Sequence, residues 1–193
     1  MTPPPPVLGR SATFALILLF SLGYLSAVAP DIYFRDAGEL SASAASLGIA
    51  HPTGFPLYLL LAKLATFIPF GGIGFRINLL SLACSVVTLV FLASLLLRLT
   101  GDRAASLAMT IVFGVTSTYW LHSTTAEVYV PNICALVGLV HLLLLGLDGS
   151  KRALRMAAVL TGLGAGLHAA SFALIGGAMW LATLCTIAIR RGW

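Results

Sequence analysis

Ile77-Asn78-Leu79-Leu80-Ser81-Leu82-Ala83-Cys84-Ser85-Val86-Val87-Thr88-Leu89-Val90-Phe91-Leu92-Ala93-Ser94-Leu95-Leu96-Leu97 runs without a charged residue and stops at Arg98. A helix needs about 20 apolar residues to cross the hydrocarbon of a bilayer, and this run supplies them. Inside lipid each backbone amide must be satisfied within its own segment, so the run reads as a helix. Outward from it, apolar blocks recur at Ser11 to Ala29, Ala104 to about Tyr119, Val128 to Leu147 and Met156 to Ile189. Of 193 residues, 59% are hydrophobic and 9% charged, whereas a soluble domain carries about 25% charge to face water. The fold class is therefore all-α, a polytopic transmembrane helical bundle.

The net charge of +5 does not point to nucleic acid, because the positive residues sit in short clusters between apolar blocks. That distribution carries topology. With the amino terminus in the cytoplasm, Arg10, Arg98, Arg103, Lys151, Arg152 and Arg155 all fall on the inner side. The outer side then keeps Arg35, Lys63 and Arg76 beside Asp31, Asp36, Glu39 and Glu127. For Arg190 and Arg191 to obey the same rule, the last block must go out and return, breaking near His168. This makes about six membrane segments. Met1 to Arg10, with Pro3-Pro4-Pro5-Pro6, is expected to be a disordered cytoplasmic tail. The block from Ser11 reads as an uncleaved signal anchor, since Pro30 directly after Ala27-Val28-Ala29 is a poor cleavage position. Residues 11–193 form one membrane domain.

The outer loop 30–76 holds most of the chemistry-bearing residues. Ala37, Leu40, Ala44 and Leu47 recur at helical spacing, predicting an amphipathic helix from Asp36. His51-Pro52-Thr53-Gly54-Phe55-Pro56 reads as a non-helical connector. Leu57 to Pro69 is apolar but short and contains Lys63, which suits an interfacial or re-entrant helix. Asp36 and Glu39 share one helix face. The structural reading is a capping box with Asp36 as N-cap and Glu39 as its reciprocal partner; the functional one is a pair of working carboxylates. Glu127 lies in the second outer link, near His122 and Tyr129, either as a solvated loop acid or as part of a pocket shared with Asp36. Arg35 and Arg76 flank the first loop and suit a phosphate, or an ion pair with a nearby acid. His51, His122, His141 and His168 show no metal-binding spacing; no metal and no nucleotide motif is expected. Cys84, Cys134 and Cys185 lie in apolar blocks and read as small buried hydrophobes. The sequence Gly162-Leu163-Gly164-Ala165-Gly166 follows no strand, so helix packing or a break explains it.

Arg35-Asp36-Ala37-Gly38-Glu39-Leu40, followed by Leu47-Gly48-Ile49-Ala50-His51-Pro52-Thr53-Gly54-Phe55-Pro56-Leu57-Tyr58, resembles a family of polytopic membrane proteins long filed in bacteria as a domain of unknown function. Its animal relative is an endoplasmic-reticulum protein O-mannosyltransferase. Phe75-Arg76-Ile77-Asn78-Leu79-Leu80 and Ala126-Glu127-Val128-Tyr129 extend the resemblance over nearly the whole chain after Arg10.

The resemblance implies a GT-C glycosyltransferase in a bacterial cytoplasmic membrane. Such an enzyme takes a sugar, mannose-like, from a polyprenyl-phosphate donor and delivers it to a protein Ser/Thr or glycan acceptor outside the cytoplasm. It implies no other cofactor. It puts Asp36 and Glu39 on the family's catalytic acids, and Glu127, His51, Arg76 and Arg35 in substrate binding. Such enzymes have more spans and a soluble carboxy-terminal domain, so the chain is expected to be a fragment or one half with a partner chain. The competing reading is a non-enzymatic transporter piece or scaffold. A transporter places ionisable groups near mid-membrane, whereas here the carboxylates sit in loops on one face.

Overall fold

The computed structural model describes residues 8–190. Most of the expected tail, residues 1–7, lies outside them, as does Arg191. The first helix, α1 (Arg10–Ala27), runs away from the end where it starts. A non-helical stretch leads to α2 (Ala37–Ser46) and α3 (Pro56–Ala65), two short helices on one end of the bundle. The long span α4 (Ile73–Thr100) then returns. After it come α5 (Arg103–Gly114) and α6 (Ser117–Thr124), bent by 66° to one another, and then α7 (Tyr129–Leu147).

The last block contains α8 (Lys151–Ser171), a π-helical turn over Phe172–Gly176, and α9 (Gly177–Arg190). Among the described residues, four helical stretches are long and apolar enough to cross a membrane, five when the bent pair is one span; the fourth of these is the whole 40-residue stretch Lys151–Arg190. At 1.5 Å per residue that stretch would measure about 60 Å if straight, roughly twice the hydrocarbon thickness. It is not straight. His168 leaves the helical region (φ −159°, ψ 94°), Trp180 Nε1 donates to Thr161 Oγ1 at 2.8 Å, and the Arg190 guanidinium reaches the Leu147 carbonyl at 3.0 Å, beside the start of α8. The chain doubles back, with the break at His168 as expected from the sequence. Counting each arm gives about six segments.

The charges sort to the two ends. Arg98 pairs with Asp148 at 2.9 Å, the Arg103 guanidinium lies against Gly9 and Arg190 reaches Leu147, so the basic ends of α1, α4, α5, α8 and α9 gather with the end of α7. The opposite end collects the 30–72 loop, the α6–α7 link and the hairpin tip. Within lipid, tails are as apolar as leucine, so the spans rely on close packing and polar ties. Gly114 meets the Phe20 ring so closely that a Cβ would collide with it, and Tyr24 donates its hydroxyl to the Gly114 carbonyl at 2.8 Å. Serines and threonines of α4 close onto carbonyls one turn back: Ser85 on Ser81, Thr88 on Cys84, Ser94 on Val90. His141 does the same with Val137 at 3.1 Å, an interior hydrogen-bonded histidine. Cys84 and Cys134 are half-buried, whereas Cys185 is exposed on α9 and is not a core residue.

Several boundaries differ from the sequence reading. The span α4 begins at Ile73, so Arg76 lies in its first turn. Leu47 does not continue the buried stripe of α2: it sits at φ 55° and 58% exposed, closing the helix while Gly48 N–H returns to the Ser43 carbonyl. Trp120 to Thr124 is helical, because Ala29 N–H docks onto the Thr124 carbonyl and Tyr119 donates to Ser85 of α4.

Candidate active site

The first loop is tied to α4 before any helix of its own forms. Asn78 Nδ2 donates to the carbonyls of Ala29 and Asp31, at 2.9 and 3.1 Å. Gly74 lets the backbone of Asp31 and Ile32 lie directly on the helix; a Cβ there would strike main-chain atoms. Arg35 then turns the chain through the left-handed region at φ 67°, delivering Asp36 to the start of α2. Ala37, Leu40 and Ala44 of α2 are buried against Tyr58 and Ala62 of α3 and Ile77 of α4. This cluster lies at the bundle's end, where burial of apolar surface helps directly, at roughly 25 cal/mol per Å². Lys63 crosses to the Ala45 carbonyl at 2.6 Å, satisfying an orphan group at the end of α2 and complementing the helix dipole there.

The capping box is not formed. Asp36 adopts helical angles at the N-cap position and makes no side-chain cap hydrogen bond. Glu39 turns instead to His51: its Oε1 accepts from the His51 main-chain N–H at 2.6 Å, and its Oε2 from ring Nδ1 at 2.9 Å. The carboxylate thus joins the two halves of the loop. The hydrogen bonds from His51 hold the Glu39 carboxyl below its ordinary range. In return the Glu39 bond raises the His51 imidazole, and the negative charges of Asp36 and Glu127 add to this.

Glu127 is not a solvated loop acid. It is 4% exposed, packed in the α6–α7 link between buried Ala126 and Val128. Burial raises its carboxyl above the ordinary range, Asp36 adds to the rise, and the charges of Arg35 and His51 oppose it. Asp36, Glu127, Arg35 and His51 therefore share one electrostatic neighbourhood, although Glu127 comes from a link some ninety residues away from Asp36. Arg76 is more committed: Nε donates to the Phe70 and Gly71 carbonyls and Nη1 to that of Thr66, closing the α3–α4 turn. Of its guanidinium nitrogens, only Nη2 has no partner among the described residues.

Other residues frame the site without having been singled out for it. His51 meets Phe55 edge-on at 5.2 Å; the rings continue to His168 at 5.9 Å, Tyr129 at 6.5 Å and His122 at 5.1 Å. The hairpin tip is thus part of the frame, and Gly166 packs on Leu57. Tyr58 is fully buried, its hydroxyl without a hydrogen-bond partner among the described residues. Burial raises its pKa, and the Glu127 charge adds to the rise. Polar Asn78 inside an apolar run was the available signal for one of these; the ring frame is assembled from four separate segments and has no local signature. Three non-glycine residues here, Arg35, Leu47 and Phe55, have positive φ, a strain of about 1 kcal/mol or more each that concentrates at functional loops. Among the described residues no three histidine, cysteine or carboxylate groups converge as a metal site.

Residues 36–188 match the family described as the protein O-mannosyl-transferase TMEM260 N-terminal domain. Among curated proteins, the chain is 40% identical over 98 residues to the protein O-mannosyl-transferase TMEM260 of Mus musculus, covering 50% of this chain. It is 24% identical over 132 residues to the protein of the same description from Dictyostelium discoideum, covering 65% of this chain. These stretches are only 14% and 16% of the relatives' own lengths. No solved structure matches. The match takes in Asp36, Glu39, His51, Arg76 and Glu127 together with the candidate spans that follow α1, and the chain belongs to the TMEM260 N-terminal domain family.

Proposed function

We propose that the chain forms the membrane-embedded catalytic end of a GT-C-type glycosyltransferase, one that moves a mannose-like hexose from a polyprenyl-phosphate carrier to an acceptor hydroxyl. The orientation proposed has the amino terminus in the cytoplasm and Asp36 outside, in a bacterial cytoplasmic membrane or an equivalent one. The acceptor class is a protein serine or threonine, by analogy with the relatives' names. The observation that carries the reading is that Asp36 presents a carboxylate with no side-chain cap hydrogen bond, at a fixed helix start, in one electrostatic neighbourhood with buried Glu127, Arg35 and His51.

In the reaction, the acceptor oxygen attacks the sugar C1 as Asp36 takes its proton. The bond from C1 to the phosphate oxygen breaks, and its electron pair leaves with the lipid phosphate. General base assistance of this kind contributes about 10²- to 10⁴-fold. Positive groups near the departing phosphate stabilise charge that grows only in the transition state. Arg35 supplies one such charge; Glu127 shapes the floor. A lipid-linked donor explains why the acids gather at the end of the bundle rather than at mid-membrane.

The test is Asp36→Asn in the complete natural polypeptide, with a radiolabelled polyprenyl-phosphate mannose as donor and a Ser/Thr-rich peptide as acceptor. Transfer is expected to fall by roughly 100-fold or more with expression unchanged. Near-normal turnover by the Asn variant would remove Asp36 as the base.

A further inference from the structure

Arg35 is one charge proposed near the departing phosphate, and the geometry singles out a second group. We infer that His51, oriented by Glu39, is the group that meets the departing lipid phosphate through Nε2–H, and that Glu39 is a positioning residue and not a second base. This rests on the function proposed above, whose base is Asp36.

The argument starts from the carboxylate. Both Glu39 oxygens are occupied by one residue, Oε1 by the His51 amide and Oε2 by Nδ1. A carboxylate engaged in this way is a poor proton acceptor for a third partner. Because Oε2 can only accept, Nδ1 carries a proton, and the second ring nitrogen is left for other work. Nε2 has no hydrogen-bond partner among the described residues, and the His51 side chain is 40% exposed.

The edge of Phe55 holds the ring from the side, and His168 stands behind Phe55. The ionisable groups acting on the imidazole are Glu39 and Asp36 from the first loop and Glu127 from the α6–α7 link, three carboxyls that favour the charged ring. The charged form of the ring is therefore favoured, and the proposed base stays free of it: Asp36 makes no ion pair with His51, since Glu39 takes that place.

The surroundings indicate the chemistry of what His51 meets. A groove of about 520 Å³ opens among Leu47, Gly48, Ile49, Thr53, Gly54 and Leu60. It is lined by residues on both sides of His51 in the chain and is mostly apolar. Ile49 in it is 90% exposed. An imidazole whose chain neighbours line an apolar groove fits an amphiphile with one phosphate and a hydrocarbon tail, the form of the donor before transfer and of the carrier after it. In the transfer step no proton need move to the phosphate. The C1–O bond breaks, the electron pair goes to the phosphate oxygen, and the Nε2–H hydrogen bond strengthens as that oxygen becomes more negative.

The test is equilibrium binding of polyprenyl monophosphate, with the uncharged polyprenol as control, to the complete natural polypeptide in nanodiscs between pH 7 and 9. Above pH 7 the phosphate is already mostly dianionic, so a loss of affinity on raising pH reports the protein. Wild type is expected to bind the phosphate and to lose affinity as pH rises. His51→Gln should bind roughly tenfold or more weakly, with no pH dependence left, while polyprenol binding is unchanged. Glu39→Gln should shift the loss of affinity to lower pH than in wild type, which a merely structural role for Glu39 would not produce.

Equal phosphate affinity in wild type and His51→Gln, both folded by their polyprenol binding, would overturn the inference even if transfer depends on Asp36. Phosphate binding that follows His51 and pH, in a protein with no Asp36-dependent transfer, would uphold the phosphate site and sink the transferase reading instead.

Discussion

Thr161 Oγ1 accepts a hydrogen bond from the indole of Trp180 at 2.8 Å, across nineteen residues of a stretch that composition alone would pass as a single long helix. The bond joins two arms that meet in lipid, where the hydrophobic effect does not hold helices together. A double-mutant cycle with Thr161→Val and Trp180→Phe, read by unfolding in SDS, should give a coupling of about 0.6 kcal/mol, the usual size for such ties in membranes. Zero coupling would place the two arms apart.

Two glycines provide a matched pair. A Cβ on Gly74 would run into the main chain of Asp31 and Ile32, whereas one on Gly162 meets nothing within 4 Å. Gly74→Ala should destabilise by about 1–3 kcal/mol and lift the first loop from α4, lowering activity with it. Gly162→Ala should be neutral or stabilise by up to about 1 kcal/mol, because alanine favours a helix more than glycine does. Thermal unfolding in detergent measures both, and a tolerated Gly74→Ala would show that the loop does not need this approach.

The Glu39–His51 clamp predicts a pH window for the order of the 47–54 connector. Its glutamate is held below its ordinary pKa, so that side of the stabilisation is present above the unfolded value and fades as pH falls through the folded one. Its histidine is raised, so that side is complete below the unfolded value and is lost as pH rises through the folded one. Amide exchange at Ile49 to Gly54 should therefore be slowest at mildly acidic pH, after correction for intrinsic rates. Glu39→Gln should flatten the profile; an unchanged profile would show that the pair does not order the connector.

Orientation can be read by labelling. Thr53 is exposed at the site end and Lys151 at the basic end, whereas Ser43 and Ser123 are buried and would report poorly. In a cysteine-free background, Thr53→Cys should react with an impermeant maleimide in intact cells, and Lys151→Cys only after permeabilisation. The reverse pattern would invert the topology.

How much of this was legible depended on the range of the interaction. The apolar run from Ile77 is a matter of composition, and the fold-back at His168 follows from where the arginines must lie; neither needs a distant contact. The bend after Gly114 does: it is fixed by the Phe20 ring filling the glycine's open side and by Tyr24 taking its carbonyl, and both partners belong to α1. For Glu127 the sequence left a solvated acid and a shared pocket both open because its link is polar; the docking of Thr124 on Ala29 and of Tyr119 on α4 draws the link inward. At Glu39 a local pattern and a tertiary partner competed. The capping-box spacing was present, but the helix start made no use of it, and the carboxylate went to a histidine twelve positions on.

The unused capping position has a consequence for how variation at this site should be interpreted. The Asp36 side chain is exposed and bonds to no other described residue, so most replacements there leave the fold as they find it. In a population of variants sorted by abundance, Asp36 should look permissive; sorted by product formed, it should tolerate almost nothing. Gly74 should fail both sorts. The gap between the two profiles, position by position along residues 31–78, would separate the residues that assemble this end of the protein from those that act once it is assembled.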